Sequence, residues 1–272
     1  MPDLPGMPRA LSTLLSGRPK VIAHRGGSKL RPENTMAAFA HALDLGVDAL
    51  ECDVHLSRDG EPVIIHDATL DRTTDGTGPV AALTARELAH VDAAYRFAPE
   101  RGFPLRGQGI AIPRLADLLT GCRERPVIVE IKGDDPRAAD RTVDVVVAAG
   151  AAERVIFAGF SHPVLSAIRA RSHAFVTSAS RQEVQSAVRL AYLLLRPRRP
   201  AYRVFQAPLR FGRRQVLTRA LVRGLVRAGV PAHAWIIDEE AEMRMLLGWG
   251  VMGLISDRPD IALRVVRDGA AC

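Results

Sequence analysis

Short apolar runs alternate along this chain with stretches of helical periodicity. The apolar runs predict strands at 21–24, 49–55, 63–66, 127–131, 155–160, 174–178, 203–206, 232–237 and 253–256. Helical spacing follows most of them, at 35–45, 140–149, 163–171, 182–195, 215–228, 239–247 and 261–267. Such alternation predicts a parallel sheet joined by crossover helices. Nine strands exceed the eight of a closed barrel, so one must differ. Parallel neighbours need a crossover of about a dozen residues or more. The link from His55 to Val63 is only LSRDGEP and contains Asp59-Gly60, a hairpin pair. Val63–His66 is therefore expected to fold back antiparallel on the second strand, with His66 landing beside Asp53. Eight strands remain, the number of a (β/α)8 TIM barrel. The hairpin opens an insertion over about 60–112, and a helix at 113–122, with Pro113 in its first turn, completes the second unit. No repeat or Gly/Ser linker divides the chain, so residues 1–272 are expected to form a single domain.

The polar residues that break these patterns gather at strand ends. His24 and Arg25 end the first strand. Glu51, Asp53 and His55 stand at i, i+2 and i+4 of the second and share one face. Glu130 and Lys132 close the third barrel strand, Trp235 lies near the end of the seventh, and Asp257 follows the eighth. All are expected on the C-terminal rim, where barrel enzymes keep their active sites. Three converging carboxylates, Glu51, Asp53 and Glu130, repel one another unless a cation lies among them. Oxygen-only ligands favour Mg²⁺ or Ca²⁺ over zinc. The bland alternative is salt bridging to Arg25 and Lys132. His24 and His66 flank this set and titrate near neutrality, so either can give or take a proton. Arg25 and Lys132 suit the non-bridging oxygens of a phosphate. No glycine-rich nucleotide loop accompanies any strand.

Composition narrows the reading. Hydrophobic residues make up 47% and charged residues 25%, a balance that supports a folded core. The formal net charge is +7, and the stretch 196–214 holds seven arginines and no acid. That run is an ordinary solvated face or a contact for anionic lipid; few aromatics interleave it, so no nucleic-acid partner is expected. Cys52, Cys122 and Cys272 form no disulfide framework, and Cys52 is expected to point into packing. The N-terminus lacks a secretory pattern and no apolar run reaches membrane-span length, so a cytoplasmic location is expected, with peripheral membrane contact as its variant.

The stretch AHRGGSKLRPENTMAAFAHALDLGVDALECDVHLSRDGEPVIIHDATLDRTTDGTG resembles the glycerophosphodiester phosphodiesterase family, as do VEIK at 129–132, AW at 234–235 and SDRP at 256–259. The resemblance runs from Val21 to Pro259 and departs from common family patterns at Ser256, Ile236–Ile237 and Gly159–Ser161, all outside the catalytic set. It implies a TIM barrel with an insertion after the second strand. It implies hydrolysis of a glycerophosphodiester to an alcohol and sn-glycerol 3-phosphate, begun by attack of the glycerol 2-hydroxyl on phosphorus. It implies His24 and His66 as the acid–base pair and Glu51, Asp53 and Glu130 as ligands of a divalent ion. Arg25 and Lys132 would contact phosphate, with Glu33, His55 and Trp235 lining the substrate site. A lysophospholipase D acting at a membrane is the alternative; it would use Leu190–Leu195 and the following RPRRP, expected on the loop side of the barrel.

Overall fold

The computed structural model describes residues 7–193, 195 and 200–269. Helix α1 (Arg9–Leu15) precedes strand β1 (Lys20–Ala23), helix α2 (Met36–Leu45), and the hairpin of β2 (Ala49–Leu56) and β3 (Pro62–Ile64). The insertion carries the short α3 (Ala85–Leu88) and ends at α4 (Leu115–Gly121). Then follow β4 (Val127–Ile131), α5 (Pro136–Ala148), β5 (Val155–Ala158), α6 (His162–Arg171), β6 (Val176–Thr177), α7 (Arg181–Tyr192) and β7 (Phe205–Pro208). A small hairpin, β8 (Arg210–Phe211) with β9 (Arg214–Gln215), precedes α8 (Arg219–Arg227), β10 (Ala232–Trp235), α9 (Glu240–Trp249), β11 (Gly253–Ser256) and α10 (Pro259–Gly269).

Eight strands run parallel in the order β6-β5-β4-β2-β1-β11-β10-β7. A parallel bridge from Ser178 to Val204 joins the two ends, so the sheet closes as a (β/α)8 barrel. β3 pairs antiparallel with β2 and stands outside the barrel, as the short link requires. The turn falls at 58–60, with Ser57 and Glu61 bonded across it. The register differs by one step from expectation. Val54 faces Ile64, and the Ile65 amide donates to the Asp53 carbonyl at 3.0 Å. Ile65, not His66, stands opposite Asp53, and His66 lies just past the end of the pairing.

Three apolar cores follow from strand alternation. Outward-facing Val21, Cys52, Val54, Val129 and Phe157 pack beneath the helices with Phe39, Leu118, Val143 and Leu165. Cys52 and Cys122 are buried there as free thiols, and Cys272 lies outside the described residues. Inward-facing Ile22, Ala49, Ile128, Ile156, Val176, Val204 and Ile255 fill the barrel with Leu11, Leu14 and Leu15 of α1, which closes the floor. Each such leucine contributes, as an upper bound, roughly 1.5–3 kcal/mol. A third cluster, with Val63, Leu70, Leu88 and Ile112, anchors the insertion.

Several boundaries move for local reasons. α4 begins at Leu115 with Arg114 as its N-cap, so Pro113 lies outside the helix, not in its first turn. α5 starts early because the Asp135 side chain caps it and Pro136 occupies its first position. α8 starts late because residues 210–215 form the hairpin, and the Thr218 hydroxyl caps the helix instead. α7 returns antiparallel to the strands. Its C-terminal end, with exposed Tyr192 and Leu193 and then Leu195, therefore lies at the floor. The expected placement of this segment on the loop side is thus overturned, and residues 194 and 196–199 lie outside the described residues. Among the described residues no helix is long and apolar enough to cross a membrane.

Candidate active site

The β1–α2 loop is shaped by a close approach. A side chain on Gly26 would place its Cβ 2.6 Å from the Ala38 Cβ of α2, so only glycine lets the loop lie against that helix. Arg25 beside it adopts a left-handed conformation, φ 50°, and its amide donates to Glu51 Oε2 at 2.9 Å. That backbone bond ties the loop to β2. Asn34, also left-handed, donates from Nδ2 to Asp53 Oδ2 at 2.8 Å, beneath the mouth.

Glu51, Asp53 and Glu130 each offer a carboxylate oxygen, and these atoms lie within 4.8 Å of one another. Glu130 faces Asp53 across the β2–β4 pairing, which explains the approach. Burial, and then repulsion from Asp53, push the Glu51 carboxyl up to about 8. Asp53 is fully buried, a condition that opposes its charge, yet Lys132 and Arg25 together hold its pKa below the ordinary value. Lys132 Nζ sits 2.8 Å from Asp53 Oδ1 and 2.5 Å from Glu130 Oε1. Arg25 Nε sits 3.0 Å from Asp53 Oδ2. Asp53 is therefore held between two cations. Three carboxylate oxygens this close, an all-oxygen donor set, fit a hard divalent cation.

Each histidine has its own carboxylate. His24 Nδ1 lies 2.6 Å from Asp257 Oδ1, and its Nε2 faces Glu51 Oε2 at 4.0 Å. Burial works against a charged His24, but Glu51 and the Asp257 bond outweigh it and raise its pKa. His66 Nδ1 lies 2.5 Å from Asp67 Oδ1. Burial opposes the Asp67 charge, but bonds from Arg72 and His66 bring its carboxyl down to about 2. With Nδ1 engaged in each ring, both Nε2 atoms remain for chemistry. His55 Nε2 meets the His66 carbonyl at 3.0 Å, and burial lowers its pKa. It braces the backbone of His66.

Arg72 escaped the sequence reading. It holds Asp67 through Nε at 2.6 Å and grips both oxygens of Glu33, at 2.7 and 2.9 Å. Glu33 also accepts from Arg25 Nη1 at 2.9 Å. One ion-pair chain therefore runs from the first loop to the insertion. Asp257 escaped as a partner of His24 because 233 residues separate them. At the end of β10, Trp235 packs edge-on against Phe160 at 5.8 Å.

The family model described as "Glycerophosphoryl diester phosphodiesterase family" matches residues 24–261. The chain belongs to that family. It is accordingly an enzyme of the phosphoric diester hydrolase class. A glycerophosphodiester phosphodiesterase of Caldanaerobacter subterraneus subsp. tengcongensis is 33% identical over 256 residues, covering 92% of this chain and 98% of its own. A protein of Mycobacterium tuberculosis named "Probable glycerophosphodiester phosphodiesterase 2" is 34% identical, covering 88% of each chain. An Oleispira antarctica phosphodiesterase, solved in complex with the product sn-glycerol-3-phosphate, superposes with a TM-score of 0.74 at 25% identity, covering 92% of this chain and 97% of its own.

Proposed function

We propose that this chain, as one barrel domain, hydrolyses glycerophosphodiesters to an alcohol and sn-glycerol 3-phosphate, with His24 and His66 moving the protons. The observation that carries this reading is the pairing of each histidine with a carboxylate beside one acid cluster. Asp257 and Asp67 fix each ring through Nδ1 and stabilise its protonated form. One Nε2 takes the proton of the attacking glycerol hydroxyl and the other protonates the leaving alcohol oxygen; water then opens the cyclic phosphate, with the two rings exchanging roles. Arg25 and Lys132 donate to the phosphate oxygens, with Glu33 holding Arg25 in place. His55 and Trp235 complete the wall of the substrate site. Glu51, Asp53 and Glu130 would hold Mg²⁺ or Ca²⁺, which when bound offsets their repulsion and serves as a Lewis acid towards phosphate. In this reading, any contact with an anionic bilayer belongs to the β8–β9 hairpin. There, exposed Phe211 stands among Arg210, Arg213 and Arg214, and sedimentation with acidic vesicles tests it.

The deciding experiment incubates purified protein with glycerophosphoethanolamine, glycerophosphoinositol and lysophosphatidylcholine, with and without chelator. Release of sn-glycerol 3-phosphate from the two glycerophosphodiesters, lost on complete metal removal and restored by Mg²⁺ or Ca²⁺, is expected. Unchanged activity after metal removal would exclude the metal assignment, and turnover confined to the lysolipid would exclude the substrate class.

A further inference from the structure

Beside the catalytic cluster lies a cavity of about 320 Å³ between the β1–α2 loop and the insertion. Its walls include Lys29, Glu33, Arg72, Arg96, Phe97 and Arg101. The volume is at the lower end of the range for small-molecule sites. Glu33 is both a wall of this cavity and the partner of Arg25 at 2.9 Å, so the cavity opens one side chain away from the proposed phosphate grip.

Four cations and two acids, Glu33 and Glu100, line the cavity; Lys29 is paired with Asp238 at 2.9 Å, and Arg72 with Asp67 at 2.6 Å. Glu33 is already shared between Arg25 and Arg72. Glu100 meets only its neighbour Arg101, at 3.4 Å and with both side chains more than half exposed, a pairing worth little. Arg96 differs from the others. Its Nε donates to the Thr74 carbonyl at 3.2 Å, which fixes the guanidinium, and among the described residues it has no carboxylate partner. Its two amino groups are left to grip an oxyanion through two oxygens. The hydroxyls of Ser28 and Thr73 line the same space.

The geometry points to an anion subsite: this cavity takes a phosphate carried by the alcohol half of the diester. The inference rests on the proposed activity and adds to it a preference among leaving groups. A phosphorylated alcohol meets the anchored Arg96, whereas a cationic head such as choline gains no partner there. A charge-assisted arginine–phosphate bond of this kind favours the phosphorylated substrate by about tenfold or more.

The test compares kcat/KM for glycerophosphoinositol 4-phosphate and glycerophosphoinositol, diesters of one alcohol differing by one phosphate. The native protein is expected to prefer the phosphorylated diester about tenfold, and Arg96→Glu to abolish or invert that ratio. A general loss of folded protein cancels in a ratio. Titration calorimetry with inositol 4-phosphate supplies a readout without turnover: binding to the native protein, and at least about tenfold weaker binding to Arg96→Glu. A ratio near one, or a preference untouched by Arg96→Glu, overturns the subsite. Failure to hydrolyse any diester would overturn the activity instead, and the calorimetry would still decide the cavity.

Discussion

The two ends of one barrel treat buried polarity in opposite ways. Along β2 the inward positions step from Ala49 at the floor to Glu51 and Asp53 at the mouth, and along β4 from Ile128 to Glu130. The floor is largely apolar, closed by the leucines of α1, and its buried polar groups include Lys20 and one imidazole, His233. Among the described residues His233 meets only Gln206, at 3.4 Å, and its Nε2 has no partner. Burial alone drives its pKa down to about 4, so it remains neutral. At the mouth, Lys132 and Arg25 keep Asp53 ionised against burial, while crowding pushes the neighbouring Glu51 up to about 8. An unpartnered imidazole loses its charge at the floor, while at the mouth acids and cations are packed into one set.

The largest effect expected is at the mouth. His24→Ala or His66→Ala should each lower kcat by about 10²–10⁴ with little change in thermal stability, read by steady-state kinetics and a melting curve. Either variant at full rate would remove that histidine from the reaction. Next comes Glu51→Gln, expected to lower kcat/KM at least about 100-fold. Its stability effect should have the opposite sign. An acid held at about 8 in the folded state contributes stability that is lost as pH rises from its unfolded value near 4.5 through 8. In chelator at pH 8 the variant should therefore melt at least about 2 °C higher, the shift that ~1 kcal/mol gives a domain of this size. A lower melting point would contradict the crowding described.

The floor should respond to pH. His233 has a folded pKa depressed from 6.5 to about 4, so its neutral form favours folding fully above pH 6.5. That contribution is lost as pH falls from 6.5 to 4, by about 3 kcal/mol. His233→Leu should flatten this part of a denaturant-derived stability profile; an unchanged slope would assign the acid sensitivity elsewhere. Gly253→Ala sharpens the same point, since its Cβ would fall 2.5 Å from the His233 ring, and a loss of about 1–3 kcal/mol is expected by urea titration. The smallest effect on rate should come from Arg72→Ala, about tenfold in kcat through loosening of Asp67 behind His66. An intact rate would show that Asp67 needs no such support.

The barrel was legible because connection length constrains topology: LSRDGEP is too short for a parallel crossover, and that one fact sets the strand count. The carboxylates on β2 were legible because alternation puts 51 and 53 on one face. The register of His66 was not, since a one-residue step in the turn carries no mark in the hairpin sequence. Helix α1 was missed because RALSTLL is short, has no side-chain cap and places no acid in its first turn. The β8–β9 hairpin was hidden inside an arginine-rich run whose strands are two residues each. Asp257 and Arg72 stood in plain sight as residues, but their partners are set by folding and not by spacing.

The chain of contacts from Arg25 through Glu33 and Arg72 to Asp67 binds two loops that are distant in sequence. Recombination between relatives has to respect that link. A loop bearing His66 and Asp67 moved alone into another barrel would arrive without its brace, whereas one transplanted together with the segment around Glu33 would bring its own. These two loops should therefore be inherited as a single module.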